Sequence, residues 1–149
     1  MPKEFVMRGQ TASGGTETLN FSGYKPGYAY RLVEFQLWNS QSIGTAKAEQ
    51  VGTITAAKTA EDPVNPNFNN EGLIGVAALG DNESDAYGPT ALSIINDTFL
   101  ITQNLILTVK DTGGTNNPVN WQCRFESVKM SGPEEAVTNY KQFMISDGS

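Results

Sequence analysis

The stretch DTFLITQNLILTVKD, Asp97 to Asp111, decides the fold class. Phe99, Ile101, Leu105, Leu107 and Val109 fall on one side, and Thr102, Asn104, Thr108 and Lys110 fall on the other. That period of two is the pattern of a β-strand with one buried face, and Gln103 is its one polar interruption. Downstream, VNWQCRFESVKM (residues 119–130) places Val119, Trp121, Cys123 and Phe125 on one face before the apolar parity shifts to Val128 and Met130. The shift predicts a β-bulge near Glu126 and Ser127. Between the two runs, TGGTNNP (Thr112 to Pro118) supplies Gly and Asn pairs suited to the positive φ of hairpin loops, so residues 97–130 read as one long β-hairpin.

The same period recurs upstream. YAYRLVEFQLW (residues 28–38) sets Val33, Phe35 and Leu37 against Tyr30, Leu32, Glu34, Gln36 and Trp38, which predicts a central strand with a mixed second face. FVMRG, TETLNFSG, QVGTITAA, GLIGVAAL and TALSIIN add shorter strands, about eight in all, the pattern of an antiparallel β-sandwich or barrel, with a jelly roll the favoured topology among sandwiches. The C-terminal run SGPEEAVTNYKQFM breaks the period. Ser131 as N-cap, Glu134 three residues on, Pro133 in the first turn and Lys141 late predict a helix starting near Gly132. Its apolar stripe, Ala136, Val137, Tyr140, Phe143 and Met144, must cover either the open end of its own domain or a neighbouring subunit. The resulting division is an N-terminal arm or first strand (1–15), an all-β sandwich (16–130) and a C-terminal helix and tail (131–149).

The 149 residues suit one domain, and a hydrophobic content of 38% suffices for its core. Only 17% of residues are charged and the net charge is −6, which leaves a sparsely charged polar surface. An acidic chain lacks the Lys and Arg clusters that displace counterions from phosphate backbones, so no direct nucleic-acid partner is expected. No apolar run approaches the roughly 18 residues of a membrane span. MPKEFVMRGQ lacks the layout of a secretory signal, so synthesis in a cytoplasm without membrane association is expected.

The chain has no histidine and a single cysteine, Cys123. Imidazole acid/base chemistry, His-based triads and thiolate metal clusters are therefore excluded. Glu34 and Glu126 are the only mid-strand carboxylates suited to a hydrolase pair, and a carboxylate-dependent hydrolase is the remotest reading. DNESD (Asp81 to Asp85) concentrates carboxylates but lacks the spacing of a calcium loop, and it reads as a solvated turn. No cofactor, metal site or catalytic residue is assigned. Trp38, with Tyr24, Tyr28 and Tyr30 on or near the same strand, could serve as a stacking platform, which makes a glycan- or receptor-binding module the alternative function. EDPVNPNFNNEG (Glu61 to Gly72) holds two prolines and four asparagines that rigidify a loop, read as a shaped crossover presenting Phe68.

ITAAKTAEDP (54–63), INDTFLITQNLILTV (95–109), VNWQCRFESVKMS (119–131) and EEAVTNYKQ (134–142) resemble segments of the small β-sandwich virion proteins of bacteriophages, marine phages in particular. The resemblance covers most of residues 50–145. It implies a jelly-roll-like capsid, coat or capsid-decoration subunit that works by assembly, with no catalytic residues. Self-association, as a trimer or pentamer, with other virion proteins as further partners, and location in the virion are the corresponding expectations. Phe5, Phe68, Trp38, Tyr140, Phe143 and Met144 are the candidate subunit-interface residues.

Overall fold

A computed structural model describes residues 3–21, 27–41, 48–57, 59–81, 90–113 and 116–146, without the side chains of Asp81, Asn139 and residues 142–146. Eight strands, β1 (Glu4–Thr11), β2 (Thr16–Leu19), β3 (Tyr28–Asn39), β4 (Ala48–Thr55), β5 (Leu73–Asp81), β6 (Thr90–Ile95), β7 (Leu105–Asp111) and β8 (Val119–Lys129), precede one helix, α1 (Gly132–Ser146). They form two antiparallel sheets, with strand orders β1-β8-β3 and β2-β7-β4-β5-β6. A jelly roll is a long hairpin rolled on itself, pairing first with last, second with seventh, third with sixth and fourth with fifth. Three of those four pairings are present here. The third is displaced: β6 extends the five-stranded sheet beyond β5, and a single bridge, Tyr30 to Ile101, takes its place beside β3.

The core lies between the sheets. Leu32, Phe35, Leu37, Cys123 and Phe125 from one sheet meet Ile54, Ile74, Leu79, Leu105, Leu107 and Val109 from the other. Phe35 and Leu32 are fully buried, and glycines make room for them. A Cβ on Gly75 would lie 2.9 Å from Leu32 Cδ2, and one on Gly52 would lie 3.2 Å from Phe35 Cζ. At one end Phe5, Phe21, Tyr30 and Phe125 pack as an aromatic cluster, with Phe5 stacked on Phe125 at 5.5 Å and Phe21 edge-on to it at 5.1 Å. At the other end the Trp121 indole N–H donates to Thr11 Oγ1 at 2.9 Å. The polar tip of this large side chain is thereby satisfied inside the sandwich.

Four sequence expectations are corrected. Residues 97–130 are not a hairpin, because β7 and β8 belong to different sheets. The turn-forming residues between them instead build an arch from one sheet to the other. Asp111 accepts from the N–H of Gly113 (2.9 Å) and of Asn117 (3.0 Å), and Asn116 takes the positive φ. Nor is 97–111 one strand. Its alternation holds, with Phe99, Ile101, Leu105, Leu107 and Val109 all buried, but Ile101 pairs with β3 while Leu105 opens β7, and the chain changes sheet around Gln103. The bulge lies on β3, where Val33 is the extra residue opposite the regular β8 step Phe125–Arg124, so Leu32 rather than Val33 faces the core with Phe35 and Leu37. Finally, β4 and β5 are adjacent and antiparallel, so the loop containing EDPVNPNFNNEG closes a hairpin instead of crossing the sandwich.

Candidate functional site

The Glu61–Gly72 loop is built by its own side chains. Glu61 is its hub: Oε1 accepts from Asn67 N–H at 3.1 Å and Oε2 from the Asn70 amide at 2.7 Å. Asp62, Asn67 and Asn70 each accept from a backbone N–H two residues on, at 2.9 to 3.0 Å, the Asx-turn bond that these short polar side chains favour. Two threonines tie the loop to the sheet, since Thr53 Oγ1 donates to Glu61 C=O (3.0 Å) and Glu61 N–H donates to Thr55 Oγ1 (3.2 Å). Thr53 and Thr55 belong to the outward-facing side of β4 yet are completely buried, so the loop rests on the outer face of the five-stranded sheet. On this fixed frame Phe68 stands 60% exposed, with Val64 also exposed.

The same outer face carries an apolar strip. Cross-strand register aligns Val51, Ala78 and Leu92 in one row and Thr53, Val76 and Ile94 in the next. Leu92 and Ile94 lie on the edge strand β6 and are 69% and 63% exposed; Ala91 and Ser93, on the opposite side by register, are exposed as well, and only Ile95 packs partly against the core. The strand therefore leaves two large apolar residues in solvent and contributes only Ile95 to the core. The alternation of TALSII marks a strand but not which of its faces is covered, and Leu92 and Ile94 are absent from the residues singled out by sequence.

The helix starts as its sequence predicts, with Ser131 Oγ accepting from Glu134 N–H at 3.2 Å. Its N-terminal half does not lay the apolar stripe on the sandwich. Val137 and Tyr140 are exposed, whereas Glu135 and Thr138 are the half-buried positions. A shallow groove lined by Phe99, Leu100, Val137 and Lys141 separates α1 from the segment following β6. The side chains of Phe143 and Met144 lie outside the described residues, as do Tyr24 and residues 82–85 of the acidic cluster.

The other candidates part company. Phe5 leaves the list of surface residues, because its ring belongs to the aromatic cluster of the core. Tyr30 joins the same cluster, while Trp38, at the far end of β3, is 53% exposed on the outer face of the three-stranded sheet. Glu34 and Glu126 also face outward, each beside a guanidinium: Arg124 at 3.6 Å and Arg31 at 2.8 Å. Cross-strand ion pairing occupies both carboxylates. Cys123 is fully buried, and burial pushes its thiol up to about 12, far from the range of a reactive thiolate. Among the described residues no group of acidic or cysteine side chains is placed to hold a metal ion, and no helix is long and apolar enough to cross a membrane.

The chain matches no protein-family model and no curated protein.

Proposed function

We propose that this protein is a non-enzymatic structural subunit of a virus particle, a capsid, coat or capsid-decoration protein of a bacteriophage, which works by assembling with copies of itself. The observation that carries this reading is the outer face of the five-stranded sheet. There an uncharged edge strand presents Leu92 and Ile94, and a hydrogen-bonded loop on the same face holds Phe68 and Val64 in solvent. Exposed large apolar side chains of this kind mark an interaction site, and natural proteins rarely leave an edge strand uncharged unless it is covered. In a chain of net charge −6, a strand without carboxylates, as β6 is, lets two copies meet there with little repulsion. The exposed Val137 and Tyr140 of α1 give a second contact for a neighbour, as a closed three- or five-fold ring requires two different surfaces per subunit.

The test is assembly. Light scattering and negative-stain images of the purified protein are expected to show an oligomer or particle, which Leu92→Glu with Ile94→Glu reduces to monomers of unchanged circular dichroism. A parent protein that stays monomeric at every concentration, or a double variant that assembles normally, would remove the basis of the proposal.

A further inference from the structure

The outer face of the three-stranded sheet is organised differently. Its cross-strand rows read Glu4, Glu126, Arg31; then Val6, Arg124, Glu34; then Arg8, Gln122, Gln36; then Gln10, Asn120, Trp38. In the first two rows the guanidinium is matched, by the Arg31–Glu126 and Arg124–Glu34 pairs, and Glu4 is left over. The described residues of the last two rows hold no such pair. Among the described residues the Arg8 guanidinium has no carboxylate partner, and the side-chain amides of Gln36 and Gln122 have no hydrogen-bond partner. Asn120 is held in place, accepting from Gln10 Nε2 at 2.9 Å and donating to the Asn39 carbonyl at 3.4 Å. Arg8, Gln36, Trp38, Asn120 and Gln122 line a shallow depression of about 170 Å³.

We infer that this depression is a saccharide-binding platform with a preference for acidic sugars, a function separate from assembly. A sugar ring offers an apolar C–H face and a rim of hydroxyls. The exposed indole of Trp38 matches the first, and amides that both donate and accept match the second. Neighbouring strands hold their residues about 4.8 Å apart, so the row from Arg8 through Gln122 to Gln36 spans about 10 Å, the scale of a disaccharide. Arg8 at one end of that row supplies a charge-assisted partner for a uronate or sialate carboxylate. A protein partner would need an apolar centre, and Trp38 is the only large exposed apolar side chain of these two rows. Nucleic acid would need a cluster of cations where this depression has one.

The full-length protein titrated with 3′-sialyllactose, tetragalacturonate, lactose and maltotetraose, followed by saturation-transfer NMR and tryptophan fluorescence, tests the inference. Saturable binding is expected, tighter for the two acidic probes and weakened by salt. Trp38→Ala is expected to lower affinity by about tenfold or more, the loss of one stacking contact. Arg8→Gln should abolish the acidic preference while leaving binding of neutral probes. Arg8 and Trp38 lie on the three-stranded sheet and not on the face proposed for assembly, and light scattering of both variants beside the parent separates loss of saccharide binding from loss of assembly. Absence of saturable binding to all four probes, or binding undiminished in Trp38→Ala, overturns the platform; equal affinity for acidic and neutral probes overturns the role of Arg8.

Discussion

Replacing Glu61 by alanine removes two hydrogen bonds to one carboxylate, from Asn67 N–H and from the Asn70 amide, and leaves the two threonine ties of the loop intact. A bond to a charged group contributes about 1.5 to 3 kcal/mol when buried. Glu61 is half-exposed and water takes over part of each bond, so about 1 kcal/mol apiece, or about 2 kcal/mol in all, is the appropriate figure. Glutamine keeps one acceptor oxygen but sets an NH2 group against one of the two donors, which predicts about half the loss. The expected order is therefore parent, then Glu61→Gln, then Glu61→Ala. Amide exchange at Asn67, Asn69 and Gly72 reads the local effect, where 2 kcal/mol corresponds to roughly thirtyfold faster opening. Urea unfolding followed by Trp121 fluorescence reads the global effect. If the loop is the frame that presents Phe68, Glu61→Ala also weakens assembly without altering any exposed apolar side chain. Unchanged exchange at Asn67 in Glu61→Ala would refute the hub, since nothing else in the loop accepts that N–H.

Two further predictions concern the interior. Gly75→Ala drives a methyl to within 2.9 Å of the fully buried Leu32 side chain and should cost about 1 to 3 kcal/mol in urea unfolding, whereas Gly80→Ala, whose nearest contact would be Thr90 C=O at 4.0 Å, serves as a near-neutral control. Cys123 should resist a thiol reagent at pH 8 in the native protein and react at once in urea. Because burial raises its thiol pKa from 9.0 to about 12, its protonated state contributes stability that is complete below about pH 9 and lost as pH rises towards 12. Equal labelling rates in the native and unfolded protein would contradict the burial.

The sequence announces what is local and hides what depends on distant partners. Eight period-two runs, the Ser131 cap and the burial of alternate residues from Phe99 to Val109 are all set within a few residues of chain, and all appear in the structure. Sheet membership is set elsewhere. Whether Ile101 and Leu105 share a sheet depends on Tyr30 bonding the first and on Leu19 of β2 pairing with the second, and only Gln103 hinted at the break. The Gly and Asn residues of 112–118 fit a hairpin and an arch equally well, because both need positive φ and side-chain acceptors. At the candidate surfaces, Phe68 and Trp38 were readable as large aromatics in polar surroundings. Phe5 was indistinguishable from them until its neighbours Phe21 and Phe125 came into place.

The displaced sixth strand connects the fold to the proposed function. Had β6 completed the jelly roll, it would have lain beside β3 and closed the edge of the three-stranded sheet, with one face committed to the core. Instead it pairs only with β5, leaving its own outer edge and most of the free edge of β3 without strand partners among the described residues. The single bridge at Tyr30 and Ile101, two reciprocal bonds of 2.9 and 2.7 Å, holds the sandwich shut at the aromatic end. Exposed backbone along an uncharged strand is costly to keep soluble and is retained where something pairs with it. In the proposed assembly a second copy would supply both what that edge lacks, backbone partners and apolar cover for Leu92 and Ile94. Adding a charge to β6 should therefore disrupt assembly more than adding one at Val137, where only side-chain contact is lost.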